Sequence, residues 1–312
     1  MPTSRQGAIR LFRFSGIDVF LHWSWFVVAA IEVNGGWGSY SSRTWNIAEY
    51  LCLFLIVTLH EFGHALACRQ VGGRANQIIL WPLGGVAYVD PPPRPGANLW
   101  SIAAGPLVNV VLLPILFVLH VWSASLGWAQ TAPDLYKLVT AVLFIDIGLL
   151  LFNILPIYPL DGGQILRSLL WFVLGRARSL LVATILGFVG VAGFIGMAVW
   201  VHSSWFAILA VFMLLNCWSG LQHARALLRL AKLPRREAFT CPACKAAPPV
   251  GAVWKCAQCA QLFDTFHTQG VCPYCGTQFP VTRCMDCGAA HPISEWATPV
   301  ASVSSTFPSS AP

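Results

Sequence analysis

The chain has 312 residues, of which 56% are hydrophobic and only 10% charged, with a formal net charge of +7. That balance excludes an ordinary soluble globular domain and points to an integral membrane protein. The excess of positive charge fits cytoplasmic loops facing an anionic leaflet better than a nucleic-acid surface.

Apolar stretches long enough to cross a bilayer are expected at residues 17–33, 47–67, 99–121, 135–157, 180–201 and 205–227, giving about six transmembrane helices. The first follows Arg5, Arg10 and Arg13 and is followed by no small-residue cleavage site, so it reads as a retained span rather than a signal peptide. With the N-terminus inside, Arg69, Arg74, Arg94, Arg167, Arg176, Arg178 and everything after Leu221 also fall inside; only Arg43 and Lys137 fall outside. The expectation is a multi-pass protein of the cell membrane with both termini cytoplasmic. His22, next to Trp23, reads as an interfacial anchor, and Cys52, Cys68 and Cys217 as small buried apolar residues.

The second span carries His60-Glu61-Phe62-Gly63-His64. Residues four apart share a helix face, so two imidazoles can hold one Zn²⁺ while Glu61 reaches water beside it. In lipid, buried ionisable groups are rare and usually functional, which weighs against simple packing. Residues 77–89 form two short apolar runs around Gly84-Gly85, predicting a small hairpin at the membrane boundary, and Pro91, Pro92, Pro93 and Pro95 stiffen the return to the third span. In that span Gly105, Pro106 and Asn109 read as close-packing residues. Asp146, in the outer half of the fourth span, reads as a packing or water contact.

A catalytic zinc usually has a third protein ligand. Asp161 is the best candidate, in a stretch from Asn153 where Pro156, Pro159, Gly162 and Gly163 break the fourth span; its competing reading is a cap for the helix that follows. Depth favours the ligand role. His60 and His64 fall in the inner half of the second span, and Asp161 at the inner end of the fourth.

The motifs HEFGH at 60–64, AGPLVN at 104–109 and NILPIYPLDGG at 153–163 resemble the site-2 protease family of intramembrane zinc metalloproteases, over roughly residues 10–235. The resemblance implies His60, His64 and Asp161 as zinc ligands, Glu61 as the catalytic residue, and a three-helix core within about residues 47–165. Neither the PDZ insert nor the CBS domains of familiar subgroups is expected. In such chemistry Glu61 takes a proton from water and returns it to the leaving amine. Asn153 is a candidate donor to the developing oxyanion, a role worth about 3 kcal/mol; the competing reading has it satisfying backbone freed by Pro156. The hairpin edge is a candidate for holding substrate as an added strand.

A basic helix tail at 222–236 reads as a snorkelling helix end rather than a partner-binding helix. Beyond it, Cys241/Cys244, Cys256/Cys259, Cys272/Cys275 and Cys284/Cys287 form four Cys-x-x-Cys pairs, which resemble a double zinc ribbon with two closed structural zinc sites. The simplest assignment joins the first two pairs and the last two, although the spacing permits others. Lys245, Lys255 and Arg283 are sparse and offset by Asp264, Asp286 and Glu295, which disfavours nucleic acid and favours a cytoplasmic protein partner.

The expected fold is thus an all-α polytopic membrane protein with a small membrane-associated β-hairpin and a C-terminal zinc-ribbon module. A membrane-embedded metalloprotease domain is placed at 1–236, a cytoplasmic double ribbon at 237–297 and a disordered tail at 298–312. The expected function is hydrolysis of peptide bonds in or near transmembrane segments of membrane proteins, with one catalytic and two structural Zn²⁺; by resemblance, the product would be a regulatory factor. The alternative is a non-catalytic membrane adaptor recruiting partners through the ribbons, against which the presence of Glu61 argues.

Overall fold

The sheet-forming alternation at the start of the chain and the long apolar runs after it fold as separate layers of one unit. In the computed structural model, which describes residues 7–35, 40–81 and 84–296, the chain divides into two compact units, Met1–Leu228 and Arg229–Pro312. The first contains β1 (Ala8–Phe14), β2 (Ile17–His22), α1 (Ser24–Gly35), α2 (Arg43–Gln70), β3 (Arg74–Trp81), β4 (Gly84–Asp90), α3 (Pro95–Ser125), the short α4 (Trp128–Thr131), α5 (Pro133–Ile154), α6 (Asp161–Val201) and α7 (Ser204–Ala231). Among the described residues five helices, α2, α3, α5, α6 and α7, are long and apolar enough to cross a membrane. Large side chains such as Phe117, Phe144 and Val189 are 56%, 65% and 67% exposed on them. Such surface is costly in water and natural against lipid, as in a multi-pass membrane protein.

The first expected span begins as a strand, and what is described of it as helix is short. Residues 17–22 are strand β2, and α1, at 12 residues, reaches only about 18 Å of a roughly 30 Å hydrocarbon core. Ile17, Val19 and Leu21 alternate inward against α2, while Asp18 pairs with Arg10 of β1 at 2.8 Å. The expected hairpin at 77–89 is therefore half of a larger sheet, ordered β1-β2-β3-β4. β1/β2 and β3/β4 are antiparallel, and β2/β3 are parallel. That parallel pair is joined through α1 and α2, the crossover a parallel pair requires. Gly84 and Gly85 are not the turn: they pair with Trp81 and Leu80 within the β3/β4 ladder. Residues 82–83 lie outside the described residues, as does the tail at 298–312.

Ile17, Val19, Leu21, Ile78 and Leu80 meet Val57, Phe62, Ala65 and Cys68, so the sheet packs along the helix that carries the two histidines. Arg69 fastens the far end, donating from Nε to the Ala75 carbonyl at 2.8 Å and from Nη2 to that of Gly16 at 3.0 Å. On another side of α2, a Cβ on Gly63 would lie 2.6 Å from the Ala104 carbonyl oxygen. The bare glycine lets α2 and α3 approach backbone to backbone, as small residues do between membrane helices. α6 is two helical segments joined at Gly175, whose φ of 76° and ψ of 170° no other residue adopts cheaply.

The second unit is built from β5 (Trp254–Lys255), β6 (Leu262–Phe263), β7 (Thr282–Arg283), β8 (Ala290–His291) and α8 (Ile293–Trp296). Its two small hairpins share one aromatic core, with Phe266 5.0, 5.3 and 5.1 Å from the rings of Phe239, Trp254 and Trp296. Arg235 and Arg236, expected to snorkel at the end of the basic tail, instead pair with Asp286 and Asp264 of this unit. Asp264, 15% exposed, would be costly to leave unpaired, whereas the Asp286 pair lies at the surface.

Candidate metal centres

His60 and His64 project from α2 one turn apart, and Asp161 is the first residue of α6. The loop before it folds back tightly: a Cβ on Gly162 would lie 2.2 Å from the Ile154 carbonyl oxygen, and one on Gly163 2.3 Å from the Tyr158 nitrogen. Those two glycines let the chain reverse after α5 and aim Asp161 at α2. Asp161 sits past the cap position, and its Oδ2 lies 3.1 Å from His60 Nε2 and 3.2 Å from His64 Nε2. The two Nε2 atoms are 3.1 Å apart.

The other ring nitrogens explain why these three atoms face one another. His60 Nδ1 donates to Asn109 Oδ1 at 2.6 Å, and His64 Nδ1 donates to the Ser101 carbonyl at 2.9 Å. In the neutral rings both Nε2 atoms are then lone-pair donors, and with Asp161 they make an electron-rich triangle that repels itself unless a cation joins it. Tetrahedral zinc with bonds of 2.0–2.1 Å sets its ligand atoms about 3.3 Å apart, close to the observed edges. Both histidines are buried, at 4% and 8% exposure. The donor set and spacing fit a zinc ion.

Three residues not expected in the site complete it. Asn109 passes the contact from His60 on to Asp146, donating from Nδ2 to Oδ1 at 2.7 Å, and both are fully buried. A Cβ on Gly105 would lie 2.2 Å from His64 Nε2 and 2.9 Å from His60 Nε2, so this glycine leaves open the space where the donors converge. Ser101, Gly105 and Asn109 recur every four residues on one face of α3; that polar and small stripe in an apolar helix was the readable signal. Glu61 is also buried, at 6% exposure, on the ridge of α2 that continues through Val57 and Ala65 toward the sheet. Asn153 sits half-buried in the last turn of α5, away from the triangle's hydrogen bonds. His22 stacks on Trp81 at 3.8 Å and bonds Ser24 Oγ at 2.6 Å, a structural role.

The second unit holds two cysteine clusters, and they are nested rather than sequential. Cys241 and Cys244 join Cys284 and Cys287, enclosing Cys256, Cys259, Cys272 and Cys275. Sulfur separations across the pairs are 3.6–3.7 Å, against about 3.8 Å for thiolates around one tetrahedral zinc. Each knuckle turns alike: the residue after its second cysteine, Lys245, Ala260, Gly276 or Gly288, has positive φ. That residue's N–H returns to the carbonyl of the first cysteine. The Thr277 hydroxyl, 3.2 Å from Cys275 Sγ, and its backbone N–H lower that thiol to about 6, favouring the thiolate a metal needs.

Comparison with known proteins agrees with this geometry. A zinc metalloprotease of Methanocaldococcus jannaschii is 32% identical over 181 residues, 58% of this chain and 50% of that protein. Stage IV sporulation protein FB of Bacillus subtilis is 33% identical over 154 residues, 48% of this chain and 46% of that one. The chain thus spans about half the length of these curated relatives. The solved site-2 protease from Methanocaldococcus jannaschii superposes with a TM-score of 0.50 at 27% identity, covering 69% of this chain and 95% of that one. Residues 48–133 and 124–197 match the sequence model of peptidase family M50, and those segments include both histidines, the Asn109 stripe and Asp161; the chain belongs to that family.

Proposed function

We propose that the protein is an intramembrane zinc metalloprotease that hydrolyses peptide bonds in or near transmembrane segments of other membrane proteins. The observation that carries this reading is the convergence of His60, His64 and Asp161 between membrane-length helices, with Glu61 buried on the same helix as the histidines. His60, His64 and Asp161 would hold the ion, while Asn109 and the Ser101 carbonyl fix the imidazole orientations. A zinc ion held there would supply Lewis acidity and lower the pKa of water toward neutrality. Glu61 accepts a proton from water as its oxygen bonds to the peptide carbonyl carbon, and delivers that proton to the amine nitrogen as the C–N bond breaks, leaving a carboxylic acid and an amine. Asn153 is the proposed donor to the carbonyl oxygen as charge develops there, a role supported by its sequence position beside the loop that presents Asp161.

A helical substrate hides its scissile bond behind backbone hydrogen bonds. The edge strand β4, packed along α2 in a sheet whose far edge is β1, offers main-chain groups that can hold a segment extended. The charge distribution supports an orientation with the metal centre toward the cytoplasmic face and both termini inside. The domain reading follows: a protease domain at 1–236 with its core at about 47–165, and a ribbon at 237–297 carrying two structural zinc ions and engaging a cytoplasmic protein. A released regulatory factor is the proposed product.

The test compares purified wild type with Glu61→Gln at equal zinc occupancy, on a transmembrane substrate panel in lipid. Cleavage should fall by at least about a hundredfold in the variant. Equal cleavage by both proteins, or none by wild type on any substrate, would count against proteolysis and favour an adaptor.

A further inference from the structure

Near the start of α6 the membrane unit gathers positive charge that no described carboxylate meets. The Arg167 and Arg176 guanidinium carbons lie 5.9 and 5.8 Å from the centre of one indole, that of Trp171. Arg167 stands four residues before Trp171 and shares its face. Arg176 stands five after, about 140° around a regular helix, and the break at Gly175 returns it to the same ring. Neither guanidinium has a hydrogen bond or ion pair among the described residues, and the Nε of each is closed off from solvent without a partner. Across from them a Cβ on Gly220 of α7 would meet the Tyr158 ring at 2.9 Å. One turn further along α7, His223 lies within electrostatic reach of both arginines.

Stacking on an indole compensates a guanidinium's charge in part but leaves its N–H donors unused. Two forks of donors around one ring match the oxygens of a phosphate better than any other common group. The neighbouring surface says which phosphate. Leu169, Phe172 and Val173, on the same short segment of α6, are 50%, 60% and 84% exposed, a ridge suited to hydrocarbon rather than to a soluble anion. We infer that Arg167 and Arg176 bind the phosphate of an anionic phospholipid whose acyl chains lie along Leu169, Phe172 and Val173, with Trp171 between headgroup and chain. The inference needs only the membrane setting and is independent of proteolysis.

Native mass spectrometry of the purified full chain, offered phosphatidylglycerol and phosphatidylcholine together, reads the preference directly. Wild type should retain phosphatidylglycerol, and Arg167→Gln/Arg176→Gln should reduce the preference by at least about tenfold, at about fivefold per arginine. Arg225→Gln/Arg229→Gln, which removes equal charge from α7 instead of α6, should leave it intact. Should the double variant lose its zinc or aggregate, Arg176→Gln alone should still show about a fivefold loss. No preference in wild type, or equal loss in the α7 control, would overturn the inference. So would full displacement of the lipid by millimolar inorganic phosphate or by an acidic peptide, which would mark the site as one for a soluble anion or a polypeptide.

Discussion

Gly105 is where the metal centre depends on the absence of an atom. A methyl there would lie 2.2 Å from His64 Nε2, closer than any real contact, so Gly105→Ala should push the imidazoles apart and abolish zinc binding at this centre. Asn109→Ala leaves the space open but removes the acceptor for His60 Nδ1 and strands the buried Asp146 carboxylate. It should weaken zinc by about 10- to 100-fold, as the loss of an orienting partner does. Chelator competition on both variants measures this; wild-type affinity in Gly105→Ala would refute the cradle. At this scale the convergence of His60, His64 and Asp161 was legible because their types and spacing are unusual in apolar helices. The polar contacts of Asn109 and Asp146 were not, although the stripe that carries Asn109 is visible in the sequence. Each reads as packing until the rotational setting of α3 and α5 is known, and only then does a polar chain from His60 into the bundle become visible.

Among the elements, the sheet is the one that sequence reading half missed. In residues 17–22 position 20, on the other face, is also apolar and buried, so the alternation of Ile17, Val19 and Leu21 is masked and the run reads as continuous with the apolar residues of α1. The β3/β4 pair was legible because two β-branched runs flank a short break. Its outer strand carries the next prediction. Val86→Pro or Tyr88→Pro should remove a main-chain donor from β4 and cut cleavage of a transmembrane substrate by at least about tenfold, while zinc content stays at wild-type level. Unchanged cleavage would take the edge out of the mechanism. The hinge at Gly175 was equally hidden, since a glycine inside an apolar run is common in membrane helices and only its φ of 76° marks the break.

Taken whole, the chain joins a membrane unit, with five membrane-length helices among the described residues, to a ribbon unit, and the described residues hold three donor clusters. Three zinc ions per chain are expected, and the pairing can be counted. Cys244→Ser with Cys287→Ser strikes one nested cluster twice and should cost one zinc of three by elemental analysis, whereas sequential pairing would cost two. The equal spacing of the four Cys-x-x-Cys pairs could not reveal this choice, because each knuckle is locally the same turn and only the shared aromatic core selects the partners.

Nesting also gives the ribbon an order of assembly. The inner cluster closes a span of 13 residues between Cys259 and Cys272, the outer one a span of 46 between Cys241 and Cys287. Closing the longer loop first costs about 1 kcal/mol more in chain entropy. Once the inner cluster has formed, most of that loop is already gathered. During synthesis the first two thiols therefore wait until Cys287 has emerged, long after the inner pair can close, and the outer site becomes a latch set last. A chain cut between the third and fourth knuckles would keep one metal and carry two bare thiols, a defect that a reducing, thiol-sensing quality control could read.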